Sequence, residues 1–166
     1  MARAKLERTV LTSFLDRLID RDRGSSSDRA LTFDESVRRF KSSVLRDLEW
    51  LLNTRRGSHS PDAMGEEVRR SIYNYGLPDV GSMSAASADS HAQLLRNIEE
   101  SIGWFEPRLH TVRASLVEST DAVTIGELHL RIDAQLEMDP SPERVSFDTV
   151  IDVSTGRFTL GEPDDA

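Results

Sequence analysis

Twenty-nine carboxylates and four histidines are the side chains here that could move protons or hold a metal, and their spacing decides whether they do. Hydrolysis of a sugar polymer needs two carboxyl groups in different environments, one kept protonated and one ionised. Lysozymes of the phage type carry a Glu, an Asp nine residues on and a Thr six beyond that. Glu7/Asp16 and Glu143/Asp152 meet the first spacing, but Asp22 and Phe158 stand at their third positions. Neither completes a triad, so a peptidoglycan hydrolase acting on the cell wall is the alternative reading and not the leading one. His59, His91, His110 and His129 never fall at the two-histidine spacing of a zinc helix. With no cysteine, thiolate metal sites, disulfides and thiol nucleophiles are excluded. A nucleophile elbow, a P-loop and a dinucleotide glycine fingerprint are all missing. The expectation is a chain without catalytic residues, metal or cofactor.

Two other motifs stand out. Trp104-Phe105-Glu106-Pro107-Arg108 joins an aromatic pair to an acid, a rigid proline and an arginine. Read locally, Pro107 stops a helix, Arg108 bonds its last carbonyls and Glu106 pairs with Arg108 or Arg113. Read functionally, Glu106 and Arg108 form a charged handle that a partner grips, a use suited to the planar arginine fork. Tyr75-Gly76-Leu77-Pro78-Asp79 is a turn with glycine where a left-handed terminator is wanted and proline soon after.

The elements that must position these motifs are legible from periodicity. Val10, Leu11, Phe14, Leu15, Leu18 and Ile19 have helical spacing, and the polar run 21–29 after them reads as a connection. Residues 1–30 are therefore expected to be an amphipathic arm and Ser-rich linker, and 31–166 the main domain. Thr32 and Glu35 form a capping box ahead of a stripe of Val37, Phe40, Val44, Leu45, Leu48, Leu51 and Leu52. Arg38, Arg39, Lys41 and Arg46 lie mostly off that stripe and read as a solvated face. A short helix is expected from residue 65 or 66 to 72, and a longer one over 91–105 with Glu99 and Glu100 pointing away from its apolar face. Pro107 ends it. The period then changes to two: Leu128, Leu130, Ile132, Ala134, Leu136 and Met138 alternate with polar residues. Strands are expected over 108–117, 127–138, 145–153 and 157–160, the last two as a hairpin. The fold class is α+β, with N-terminal helices packed on one face of a small antiparallel β-sheet.

A chain of this length buries roughly 70% of its unfolded surface, enough for a core without staples. No apolar run approaches a membrane span and no secretory pattern opens the sequence, so the expected location is the cytoplasm, with no direct membrane insertion. The net charge of −8 argues against nucleic acid. It is uneven: residues 1–56 carry net +4 and residues 57–166 net −12. The two parts could face different partners, or the charge could simply coat solvated faces.

Taken together, Phe14 to Leu18, Val44 to Asn53, Ser71 to Asp79, Ile102 to Leu109 and the closing 145–160 hairpin resemble the lysozyme-named baseplate wedge proteins of contractile phages and the TssE subunits of type VI secretion systems. The resemblance spans nearly the whole chain. It implies a structural role in spite of the inherited label, in a baseplate docked at the inner membrane. It also implies contact with the core subunits TssF and TssG, possibly TssK, through Glu106-Pro107-Arg108. The sheath proteins TssB and TssC would be met at a free sheet edge, expected in the terminal hairpin at Arg157, Phe158 and Thr159. Tyr75 to Asp79 is the second motif of the resemblance and a further expected contact. An adaptor unrelated to secretion is a third reading.

Overall fold

A computed structural model describes residues 10, 13, 16, 18, 32–57, 65–80, 87–117, 126–139, 141–161, 164 and 165. Helix α1, Phe33–Asn53, starts where the capping box demands: the Thr32 hydroxyl accepts from the Glu35 backbone N–H, and the Glu35 carboxylate accepts from that of Thr32. Helix α2, Glu66–Arg69, is a single turn followed by a 3-10 turn, Ile72–Asn74, so the expected helix to residue 72 is shorter and tightens. Helix α3, Ala88–Phe105, begins three residues before the expected start, where Ser87 caps it through the Ser90 N–H.

The strands β1 (Leu109–Leu116), β2 (Glu127–Leu136), β3 (Glu143–Asp152) and β4 (Arg157–Leu160) form an antiparallel sheet in sequence order. A two-residue β5, Asp164–Asp165, pairs with β3 beyond the end of β4, an addition that periodicity did not announce. Gly156, at φ 67, closes the β3–β4 hairpin. Thr111 is different. At φ 53 it sits where a branched side chain is strained, and the register slips there, so Thr111 and Val112 share the position opposite Ala134.

The core lies between the helices and one sheet face. Phe40, Val44, Leu48, Leu51 and Leu52 of α1 and Leu94, Ile98 and Ile102 of α3 are buried with Leu130, Ile132, Leu136, Val145, Phe147, Ile151 and Phe158 of the sheet. The α+β expectation holds in class and layering. The solvated face expected on α1 is corrected at two positions: Lys41 pairs with Glu143 at 2.9 Å and Arg46 with Asp16 at 2.6 Å, whereas Arg38 and Arg39 are exposed.

Most of the expected arm and linker lies outside the described residues. Within it, the Val10 N–H donates to the Ser36 hydroxyl at 3.0 Å and Val10 packs against the core. The Ser13 hydroxyl accepts from the Asp16 N–H and donates to its carboxylate.

The turn at Gly76 locks α1 to α3. Its φ is +101, and a Cβ there would sit 2.2 Å from the Thr54 carbonyl oxygen. The Leu77 N–H donates to that same oxygen, the Arg56 N–H donates to the Leu77 carbonyl, and the Ser101 hydroxyl donates to the Gly76 carbonyl. Gly76→Ala should therefore lower unfolding stability by about 3 kcal/mol, measured by chemical denaturation, because both the backbone angle and the space forbid a side chain.

Candidate functional site

The helix-to-strand junction is built from α3 inward. The Glu106 N–H closes the last turn on the Ile102 carbonyl at 2.9 Å, and Pro107, which has no N–H to give, follows as an exposed turn residue. The Leu109 N–H returns to the Glu106 carbonyl, and the Arg108 carbonyl accepts from Glu137, which starts the sheet ladder. Proline thus ends the helix and the chain reverses into β1 within three residues.

The Glu106 and Arg108 side chains of this turn point into the molecule, and Pro107 faces out. Glu106 is 4% exposed, and its carboxylate accepts from the Arg108 Nε at 2.6 Å, from Nη2 and from the Arg108 backbone N–H. Arg108 continues to α1, donating to Asp47 Oδ2 at 2.7 Å and to the Ser43 hydroxyl at 3.3 Å, with its guanidinium over the Phe40 ring. Asp47 accepts from Arg46 on its other oxygen, and Arg46 reaches Asp16 and lies over the Trp50 ring. The result is a line of alternating charge, Glu106, Arg108, Asp47, Arg46 and Asp16, tying the junction to α1 and to the arm.

Burial disfavours the Arg108 cation, but hydrogen bonds and charge from Glu106, then Asp47, outweigh it and hold its pKa above the ordinary value. Three hydrogen bonds, one to Asp16 and two to Asp47, likewise hold Arg46 above its usual range. The expected exposed handle is corrected at Glu106. Its carboxylate is occupied by Arg108, the local alternative, because a buried carboxylate without a partner would be costly. Arg113, the other candidate partner, approaches Glu99 instead, at 3.9 Å.

Beside this line opens a cleft of about 410 Å³, lined by Asp47 and Leu51 of α1, Ser13, Tyr75, Phe105 and Glu106-Pro107-Arg108. Tyr75 stands edge-on to Phe105 with centroids 5.2 Å apart. Burial, and then the negative charges of Asp47 and Glu106, raise the Tyr75 phenol above its ordinary pKa. Leu51, Tyr75 and Phe105 give the cleft an apolar lining, and Asp47 and Glu106 give it a negative bias.

The fold therefore brings Tyr75 together with Glu106, Pro107 and Arg108, although the two motifs stand far apart along the chain. Gly76 and Leu77 are buried beneath as structural parts, Pro78 is half-buried, and Asp79 is exposed with Arg55 at 3.2 Å. Arg157, Phe158 and Thr159 belong to β4 and do not line this cleft. Phe158 is fully buried, and both of its backbone groups are bonded to the Asn53 side chain. The open backbone edge expected there is thus closed at Phe158. Sequence reading missed Ser13, Asp16, Asp47, Leu51 and Asn53. A signal existed for Asp47: Ser36, Ser43 and Asp47 form a polar line at helical spacing beside the apolar stripe. Asn53 gave none.

The family model of baseplate wedge protein gp25 matches residues 38–141. The chain belongs to the baseplate wedge protein gp25 family. Every lining residue of the cleft except Ser13 lies inside the wedge-family span, and the β3–β4 hairpin lies outside it. No curated protein matches the chain. The family is named for a structural part; Glu7 lies outside the described residues, and the other three paired carboxylates, Asp16, Glu143 and Asp152, are bonded to Arg46, to Lys41 and to the 154–155 turn. Glu143 and Asp152 stand at opposite ends of ten-residue β3, roughly 30 Å apart at the rise of a strand, against the 5–9.5 Å of glycosidase pairs. Asp152 instead binds the Ser154 and Thr155 backbone N–H groups and the Ser154 hydroxyl, which hold its pKa below the usual carboxylate range. Among the described residues no cluster of three metal-ligating side chains occurs, and no helix is long and apolar enough to cross a membrane.

Two outcomes follow for the wedge domain. Arg108→Ala leaves Glu106 and Asp47 without their shared cation and should cost about 3 kcal/mol of unfolding free energy by denaturant titration, whereas Arg108→Met with Glu106→Gln should recover most of it. Tyr75→Phe should remove a component of phenolate absorbance that appears only above the ordinary phenol range. The sign is set by the raised pKa: the neutral phenol's contribution is complete below the unfolded pKa and is lost as pH rises through the folded one. A chain carrying Tyr75→Phe should lose less stability on that alkaline limb.

Proposed function

We propose that this chain is a structural wedge subunit of a type VI secretion baseplate, bridging the baseplate core to the contractile sheath and helping to start sheath assembly. The observation that carries this reading is the cleft: two motifs distant in sequence, Tyr75 and Glu106-Pro107-Arg108, converge on one surface that lies within the family span. Buried ion pairs hold that surface rigid, so its mouth presents Pro107 and the Tyr75 edge in fixed geometry. In this reading the mouth meets the core subunits TssF and TssG, with TssK nearby, and an edge of the sheet takes a strand from the sheath proteins TssB and TssC. The setting is the cytoplasmic face of the inner membrane, where the baseplate docks.

The role of Arg108 in this reading is to position the cleft. Glu106 and Arg108 hold the turn from inside, and the partner meets what the turn exposes. The test must therefore use an exposed position, because loss of either charge disturbs the fold itself. Pro107→Glu should keep the melting temperature within about 2 °C, as surface substitutions generally do, and should lose co-purification with TssF and TssG. Retention of the complex at wild-type yield would sink the cleft as the core contact. A soluble muropeptide product released by the purified chain would overturn the non-enzymatic role.

A further inference from the structure

The turn from Tyr75 to Asp79 is largely buried, but the 3-10 turn just before it is not. Ile72 is 88% exposed, the highest value among the large apolar side chains described, and Val68 and Tyr73 are exposed beside it in the chain. The backbone that carries them is tied at successive steps. The Ser71 hydroxyl donates to the Val68 carbonyl at 2.8 Å, the Asn74 N–H to the Ser71 carbonyl and the Tyr75 N–H to the Ile72 carbonyl. Asn74 is buried, and its amide donates to the Arg69 carbonyl at 2.9 Å. With Gly76 locked behind it, Ile72 stands as an apolar knob in fixed geometry. Neither it, Val68 nor Tyr73 lines the cleft.

One exposed apolar side chain is ordinary, and the cation beside this one is the second observation. Arg56 is half-buried, and its guanidinium donates only to Asn74 Oδ1, at 3.5 Å, the limit of a hydrogen bond. Lys41, Arg46 and Arg108 are half-buried too, and each meets a carboxylate at 2.6 to 2.9 Å. Among the described residues no carboxylate, exposed Glu67 included, pairs with Arg56 or with half-buried Arg69. Arg55 and Arg70 nearby are already matched, by Asp79 and Glu66. Glu99 of α3, expected to point away, turns instead to β1 and accepts from the Ala114 N–H at 2.9 Å. Burial disfavours the Arg56 cation and holds its pKa below the ordinary value, with the charge of Glu100 offsetting only part of that cost. This is the reverse of Arg46 and Arg108.

We infer that Ile72 and Arg56 form a second docking surface, separate from the cleft, for an amphipathic helix of another protein: Ile72 fills the hole between neighbouring leucines of that helix, and a carboxylate beside the hole meets Arg56. A protruding knob needs a concave apolar seat, and the rows of side chains on a helix leave such holes, each framed by four residues. The carboxylate follows from charge: Arg56 is partly desolvated already and lacks the partner that every other half-buried cation except Arg69 has. The planar fork of arginine suits a carboxylate that arrives with the helix. Nucleic acid could meet Arg56, but it would leave Ile72 in water and face a chain of net charge −8. The inference rests on neither the proposed core contact nor the proposed sheath contact.

The experiment uses the full chain and a capped, helix-forming peptide of about fifteen residues, with leucines on one face and glutamates beside them. A control peptide carries lysine in place of each glutamate. In NMR titration the glutamate peptide should shift the Ile72 methyl and Arg56 Nε–H signals, and the lysine peptide should bind about tenfold more weakly. Ile72→Ser should keep the melting temperature within about 2 °C and weaken the glutamate peptide about tenfold, the factor for one aliphatic side chain left in water. Arg56→Met keeps an apolar stem and should weaken binding about fivefold while removing the preference for glutamate over lysine. No binding, shifts at Tyr75 and not at Ile72, equal affinity for the two peptides, or an affinity unmoved by Ile72→Ser would overturn the assignment. Pro107→Glu should leave the peptide affinity unchanged. A chain that binds the peptide at Ile72 and yet fails to join TssF and TssG would sink the proposed function alone.

Discussion

The ion pair between Glu106 and Arg108 is the constraint on which the rest of this molecule leans. Glu106 is almost wholly buried, so its charge must be met on the spot, and Arg108 is the residue that meets it. Meeting it bends the chain back on itself around Pro107, sets the direction in which β1 leaves α3, and points the remaining guanidinium nitrogens at α1. Helix, turn, strand and the facing helix are thereby fixed by one cation. Buried pairs of this kind are weak sources of net stability but harsh when one partner is lost. Here the pair supplies geometry.

The same economy runs through the other carboxylates. Asp16, Asp47, Glu99, Glu143 and Asp152 are each occupied by an arginine, a lysine or a backbone donor. Acid–base work needs the opposite arrangement, two carboxyl groups close together with their environments driven apart. A wedge subunit has the other need: surfaces that do not move while larger parts assemble on them.

Sheet edges raise a second constraint. An assembly protein that offers a strand edge risks pairing with the wrong chain, and natural sheets blunt such edges with bulges, short strands or charged residues. This one uses a four-residue strand sealed by an amide on one side, and a bulge with a carboxylate on the other. The seal is two-sided on β4 at Phe158 and one-sided on β1 at Ala114.

Period and the Thr32/Glu35 cap were sufficient for α1, and period alone for the existence of α3 and the four strands though not for the Ser87 start of α3, because the apolar stripes and the strict alternation from Leu128 to Leu136 depend on residues close in the chain. The glycine of the Gly76 turn and the stop at Pro107 were legible for the same reason: backbone angles are local. The sequence also determined what chemistry was unavailable, since cysteine is missing and no triad spacing closes. Tertiary structure alone decided that Glu106 faces inward, that Tyr75 shares its cleft, that Asn53 seals Phe158 and that Glu99 reaches Ala114. Each of those facts is a meeting of groups far apart along the chain, and no periodicity records which of many carboxylates or amides will stand opposite a given donor once the layers pack.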